Sequence, residues 1–539
     1  MSHPSIFHIL ILPVIQALLI CLGLGLAIFV LIVLLLVLPH EYFIYQPRAM
    51  AALKSTETQI NLLKGQPSPY LLPADLLKNA AAKVLDDRDI YRKALVYGPD
   101  PGYEPLRNSI AKWLTAFYQR HLPSDGTDAR RICITGGASQ NLGCMLNVYT
   151  DPWYTRTIWI VAPAYFLAFR IFEDAGFGGR MRAVPEDSEG VDIDFLREEI
   201  QKSEEEARKE GRDTPMYKPG RQRAKCYKHV IYCVPSFANP SSRTMSLDRR
   251  RDLVKLAREV DALVVADDVY DFLQWPAEAE EVERIEGRIW AEEMIEKKVK
   301  PFMDGVLGMK ATAHLPRLVD VDRELEGGTE REGADGFGNA CSNGSFSKIA
   351  GPGIRVGWVE GSERFAYGVS QTGTTCSGGA PSQLTSTYVH ELVNGGKLQE
   401  FIQHTLRPAY AKRYKLLMKA IEEHLLPLGF SLPQTDRKII GGYFTWLSLP
   451  EGLKADILAT RAKADANVII APGSMFEVPG DDGLKFETSI RLCWAYEDEE
   501  KLEEGVKRIG EVARVMLDEA EKGEFVVVEK ERDNAAEFK

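Results

Sequence analysis

Along the middle of the chain one pattern of apolar and polar positions recurs. A short run that is apolar at nearly every position, and rich in β-branched residues, stops at a glycine, proline or small polar residue and is followed by helical spacing. Runs of this kind occupy residues 131–135, 157–162, 229–234 and 262–266. They end in Gly136-Gly137-Ala138-Ser139-Gln140, Pro163-Ala164-Tyr165, Pro235-Ser236-Phe237-Ala238-Asn239-Pro240 and Asp267-Asp268-Val269-Tyr270, and the first break leads into a helix from about Asn141. Strands that are apolar on both faces predict a largely parallel sheet covered on both sides. The polar candidates then fall just past the carboxyl ends of strands, where open α/β sheets bind their ligands.

The flanks read differently. Residues 60–73 carry Pro and Gly punctuation that predicts an extended arm lying on another surface, and the turn cluster Tyr97-Gly98-Pro99-Asp100-Pro101-Gly102 leads into an amphipathic helix over 106–118, with Ile110, Trp113, Leu114 and Phe117 on its apolar face. From Leu406 a helical region over 407–426 precedes an alternating strand at 441–447, short strands at 468–473 and 489–494, and a closing helix over 499–522, which together predict a smaller α+β lobe. The expected organisation is an apolar head (1–45), an arm and the start of the body (46–125), a large domain (126–405), a small domain (406–522) and a charged, frayed tail (523–539). Two charged stretches, about 201–228 and 276–300, read as solvated insertions in the large domain.

The head changes the picture most. Residues 9–38 contain no charged side chain and as a helix would extend about 45 Å, more than a bilayer's hydrocarbon core of about 30 Å. Arg48, Lys54 and Lys64 follow it and no Lys or Arg precedes it, so the expectation is a transmembrane helix with the body on the cytoplasmic side. If the mature protein lacks this segment, a cytoplasmic enzyme is expected. A net charge of −11 argues against nucleic acid as the main partner. The 8 cysteines show no C-x-x-C spacing, so no disulfide framework or zinc site is expected, and His390-Glu391-Leu392-Val393-Asn394 lacks the second histidine of a metalloprotease helix.

Candidate chemistry concentrates in Gly344-Ser345-Phe346-Ser347-Lys348-Ile349-Ala350-Gly351-Pro352-Gly353-Ile354-Arg355. Lys348 is an amine able to form a Schiff base with an aldehyde, since lysine is the side chain whose pKa a desolvated or cationic site most readily lowers. Ser345, Ser347 and Arg355 suit an anion, because hydroxyls and a planar guanidinium match phosphate oxygens. An amine beside a phosphate cradle suggests pyridoxal phosphate.

Taken in order, these motifs resemble the fold-type I pyridoxal-phosphate enzymes, specifically the class I/II aminotransferases of the aminoadipate and kynurenine aminotransferase branch, over about residues 60–517. The resemblance implies that Lys348 is the Schiff-base lysine, that Ser345, Ser347 and Arg355 hold the phosphate together with Ala138 and Ser139, and that Asp267 bonds the pyridinium nitrogen. Tyr270 and Asn239 would bond the ring's phenolic oxygen and Tyr165 would stack on the ring. Arg491 would fork onto the substrate carboxylate and Gly65 would cover the substrate. Tyr97 would reach the phosphate of a partner subunit, implying a homodimer with shared sites. The implied reaction moves an amino group from an L-amino acid, aromatic, 2-aminoadipate or similar, to a 2-oxo acid such as 2-oxoglutarate, with Lys348 carrying the proton. A lyase, a decarboxylase or a cyclopropane-carboxylate synthase-like enzyme on the same fold is the alternative. Two departures stand out. Asn239-Pro240-Ser241-Ser242 lacks the family's glycine, so Ser242 is strained if its position needs positive φ, and Ala138 offers only a backbone N–H where relatives often carry a hydroxyl.

Overall fold

The computed structural model describes residues 58–122, 126–218, 220, 224–277, 313–433 and 438–522. The apolar run 9–38, nearly all of the expected insertion at 276–300 and the tail 523–539 lie outside these residues. Among the described residues no helix is long and apolar enough to cross a membrane.

Seven strands form the central sheet, in the order Ile132–Thr135, Gly357–Glu360, Ala340–Ser345, Ala262–Asp267, His229–Cys233, Thr157–Val161, Met181–Val184. Gly357–Glu360 runs antiparallel to both neighbours, and the other adjacent pairs are parallel. The apolar runs are buried on both faces. Ile158, Ile160, Val230, Tyr232, Leu263 and Val265 pack with Leu142 and Met145 of the helix Ala138–Tyr149, while Trp159, Ile231, Cys233, Ala262 and Val264 pack with Leu253 and Val254 of the helix Leu247–Glu259. This alternation between two dry layers is why the sequence shows unbroken apolar strands.

Residues 201–209 do not begin a solvated insertion as expected. They complete the helix Ile193–Lys209, whose buried residues are Leu196, Ile200 and Ala207, the first two packed against the sheet, so the charge of its outer face masks the element in the sequence. Further on, the Asp151 carboxylate accepts from the backbone N–H groups of Tyr217 and Lys218 at 2.8 and 2.7 Å, which ties part of the remaining excursion to the body.

The second layer of organisation is a three-stranded antiparallel sheet of Phe444–Ser448, Ser489–Cys493 and Ala471–Pro472, accompanied by the helices Arg407–His424, Ala455–Ala466 and Glu499–Glu521. The arm joins it: Ile60–Asn61 pairs in parallel with Val468–Ile469, and the N–H of Cys493 donates to the Leu62 carbonyl at 2.8 Å. Gly505 on the last helix permits this approach, since a Cβ there would lie 3.0 Å from both Ile60 and Leu62 side chains. The arm thus reaches the same strand that carries Arg491.

Candidate active site

The register of the sheet assembles an anion cradle. Ser345 pairs with Gly357, and Gly357 with Thr135, so Gly136-Gly137 and Ser345-Phe346-Ser347 emerge side by side at one end of the sheet. Gly137, at φ +108°, turns the chain into the helix that begins at Ala138, with the first-turn amides of Ala138 and Ser139 at its positive end. The Ser345 hydroxyl donates to Ser347 Oγ at 2.9 Å and accepts the Ser347 N–H at 3.1 Å. Arg355, itself at φ +50°, donates from Nη2 to the Gly136 carbonyl at 2.6 Å and from Nη1 to the Pro352 carbonyl at 3.0 Å. A Cβ on residue 137 would sit 2.9 Å from that Nη2 and would push on the guanidinium, and the positive φ of this residue favours glycine in any case.

Beside the cradle, Asp267 closes its strand opposite Asn343. Its Oδ2 accepts from the Tyr232 hydroxyl at 3.0 Å, while Oδ1 is buried with no hydrogen-bond partner. Burial pushes this carboxyl up to about 6, against the pull of the Tyr232 hydroxyl and the Lys348 ammonium. Lys348 Nζ donates to the Gly65 carbonyl at 2.7 Å and lies 5.7 Å from the Tyr270 ring and 5.5 Å from the Tyr443 ring. Burial among these groups lowers the lysine to about 8, although Cys493 and Asp267 act the other way. Tyr165 is half-buried, and its phenol is raised to about 12 by burial and then by the nearby charge of Asp267. Lys348, Asp267, Tyr270 and Tyr165 therefore form one neighbourhood.

Arg491 completes it from the smaller sheet. Nη1 donates to Asn239 Oδ1 at 2.8 Å, Nη2 donates to the Leu63 carbonyl, and Nε is buried without a partner. The guanidinium carbon stands 4.1 Å from the Phe444 ring centroid and 5.0 Å from that of Phe476. Gly65 lies against the same wall, since a Cβ there would fall 2.7 Å from Phe444. Ser242 does take positive φ, at +56°, a conformation that costs a non-glycine residue about 1–2 kcal/mol. Its hydroxyl donates to the Phe444 carbonyl, tying the Asn239 loop to the smaller sheet. Tyr97 stands apart from these contacts: it is 87% exposed, next to Leu95 and Val96, each 61% exposed.

Five participants escaped the sequence reading: Tyr232, Tyr443, Phe444, Phe476 and the carbonyl of Leu63. Tyr232 was hidden in an apolar strand, where only its polar tip sets it apart from its neighbours. Tyr443 and Phe444 read as ordinary alternation after Gly441-Gly442.

Two of the buried atoms left without partners, an acceptor at Asp267 and a donor at Arg491, fit a ligand that brings an N–H to the first and a carboxylate to the second. With the phosphate cradle and a lowered lysine amine, the residues fit a phosphorylated pyridine aldehyde. The comparisons agree. The family described as Aminotransferase class I and II matches residues 57–509. An uncharacterized protein of Saccharomyces cerevisiae is 34% identical over 85% of this chain and 97% of its own length. The aromatic-amino-acid aminotransferase 1 of Thermococcus litoralis is 27% identical over 87% of this chain and 91% of its own. The crystal structure of Pyrococcus horikoshii kynurenine aminotransferase superposes with a TM-score of 0.63 at 26% identity, covering 86% of this chain and 92% of that one.

Fold and site define a pyridoxal-phosphate enzyme of fold type I. Within that class the chain belongs to the class I and II aminotransferases.

Proposed function

We propose that the enzyme takes the amino group of an aromatic, or similarly large and apolar, L-amino acid and passes it to a 2-oxo acid such as 2-oxoglutarate. The observation that carries this reading is Arg491: a buried guanidinium with a free Nε, walled by Phe444 and Phe476. The α-carboxylate takes the place of the Leu63 carbonyl on Nη2 and also engages Nε, while the side chain meets aromatic rings, where the second carboxylate of 2-aminoadipate would be desolvated. When bound, pyridoxal phosphate supplies an electron sink that makes the α-hydrogen of the amino acid acidic. Asp267 would accept the ring N–H at Oδ1, Tyr270 and Asn239 would bond the ring oxygen, and Tyr165 would stack on the ring. Ala138, Ser139, Ser345, Ser347 and Arg355 would hold the phosphate, and Lys348 would move the proton. Gly65 lies over the substrate.

A steady-state comparison of phenylalanine, tyrosine, 2-aminoadipate and leucine as donors tests the substrate class, with kcat/KM expected to be highest for the aromatic pair. A preference for 2-aminoadipate would overturn it. Arg491→Lys replaces a fork with a point charge, and we expect kcat/KM for every donor to fall about 10²-fold, mostly through KM. An unchanged KM would remove Arg491 from the carboxylate site.

Two further parts belong to this reading. In this reading Tyr97 reaches the phosphate of a second copy and the enzyme is a homodimer with shared sites, a reading supported by the exposure of Tyr97 together with Leu95 and Val96. The uncharged run 9–38 tethers the body to the cytoplasmic face of a membrane. On this view the full chain resists an alkaline carbonate wash of membranes, while a chain beginning at Ile60 is released. Release of both would sink the anchor.

A further inference from the structure

The reactive lysine is fastened through its main chain as well as surrounded. Tyr443 is fully buried and follows the Gly441-Gly442 turn, with Gly442 at φ +71°. Its hydroxyl donates to the Lys348 carbonyl at 2.8 Å. With its single proton used there, that oxygen is the acceptor toward the hydroxyl of Tyr410, 3.3 Å away on the helix Arg407–His424. The Tyr410 oxygen in turn faces the main chain of Ser68 in the arm. Three residues earlier in the same arm, the Gly65 carbonyl accepts from Lys348 Nζ at 2.7 Å. The contacts close a circuit from arm to phenol to phenol to lysine backbone, and from the lysine amine back to the arm.

Nothing in amino transfer itself calls for either phenol. Phenylalanine would fill the same volume, and the ring of Tyr443 already packs edge-on to Tyr270 and tilted to Tyr410, with centroids 5.5 and 5.1 Å apart. Burying two hydroxyls is costly unless each is satisfied, so a fully bonded pair ending on one carbonyl points to a requirement for where that carbonyl sits. The Lys348 side chain extends from the same residue, and a shift of its backbone would carry the amine out of the space between Tyr270, Tyr443 and Gly65.

We propose that Tyr443, oriented by Tyr410, is a positioning residue that fixes the Lys348 main chain and so aims its amine into the space between Tyr270, Tyr443 and the arm, making the lysine's reactivity depend on the arm and the smaller sheet. The inference rests on Lys348 being the reactive amine. Because burial is the main cause of the lowered lysine, loosening its backbone admits water and returns the amine toward its ordinary value.

The test uses the full chain with Tyr443→Phe, Tyr410→Phe and both together. In the cofactor-free protein, trace acetylation with acetic anhydride across pH, read at the Lys348 peptide by mass spectrometry, reports the amine's titration. We expect a wild-type midpoint near 8, an upward move of at least about half a unit in Tyr443→Phe, and a smaller move in Tyr410→Phe. The double variant should go no further than Tyr443→Phe, since the two phenols act in series. In the holoenzyme, Tyr443→Phe should lower kcat about tenfold with little change in KM, because Arg491 is untouched. A lower melting temperature with midpoint and kcat unchanged would make the phenols merely structural and overturn the proposal. Should Tyr443→Phe not fold, Tyr410→Phe decides alone, by moving the midpoint or leaving it. Failure of the underlying lysine reading is told apart by Lys348→Ala, which would then retain turnover.

Discussion

Replacing Lys348 with alanine is expected to abolish turnover, by at least about 10⁴-fold, and to remove the absorption near the visible edge expected of the wild-type holoenzyme. The size of the effect follows from the number of tasks on one nitrogen. In the proposed reaction Lys348 is the amine that meets the cofactor aldehyde, and also the base and then the acid for the α-proton. Neither Tyr270 nor Arg491 replaces it: Tyr270 is raised by burial and stays a neutral phenol, and Arg491 is held by Asn239 and, in the proposed reaction, by the substrate carboxylate. Folding should survive, because the amine's own hydrogen bond is a single one to the Gly65 carbonyl. Circular dichroism and the melting temperature of the variant provide that control, and retained turnover would contradict the assignment.

Asp267→Asn should separate stability from function. In the cofactor-free protein the Asp267 carboxyl is raised to about 6 from an ordinary 3.8, chiefly by burial. A carboxyl whose folded value is raised contributes most to stability below about pH 4, and that contribution is lost as pH rises through about 6. Above that pH the buried charge opposes folding by an amount on the order of 3 kcal/mol. The neutral amide has no such penalty, so at pH 7.5 the cofactor-free variant should melt a few degrees higher than wild type, and the gap should close toward pH 4. Turnover should move the other way, falling about 10³-fold, because an amide cannot supply the negative charge that keeps the ring nitrogen protonated. A variant that is less stable at pH 7.5 would contradict the buried charge on Asp267, and one nearly as active as wild type would show that Oδ1 does not face the ring nitrogen.

Much of the fold was legible because two-sided burial leaves a plain trace: the strands at Thr157–Val161, His229–Cys233 and Ala262–Asp267 lie within a residue of their apolar runs. Ala340–Ser345 left none. Its sequence, Ala-Cys-Ser-Asn-Gly-Ser, is small and polar, yet every residue is buried. Ser342 donates to Asp268, and Asn343 Oδ1 accepts from the Asn141 amide at 2.8 Å, so polar pairing does there what apolar packing does elsewhere. The antiparallel Gly357–Glu360, inserted between two strands distant in sequence, was equally invisible, although it sets the register that joins Ser345 to Gly137. The site followed the same division. Groups with distinctive chemistry, Lys348, Asp267, Arg355 and Arg491, could be named from motifs. The Leu63 carbonyl could not, because a backbone oxygen acquires its place only when the arm pairs with Val468–Ile469. The Tyr410–Tyr443 pair was out of reach for a related reason, since a helix and the bend leading into a strand bring it together across 33 residues of chain.

The most direct measurement is the absorption spectrum of the purified holoenzyme through one half-reaction and its reversal. We expect phenylalanine or tyrosine, without any oxo acid, to bleach the band near the visible edge and yield one equivalent of the matching 2-oxo acid per site, and 2-oxoglutarate to restore the band with formation of glutamate. A band that no amino acid bleaches, or bleaching accompanied by free ammonia or carbon dioxide in place of a transferred amino group, would contradict an aminotransferase built on these residues.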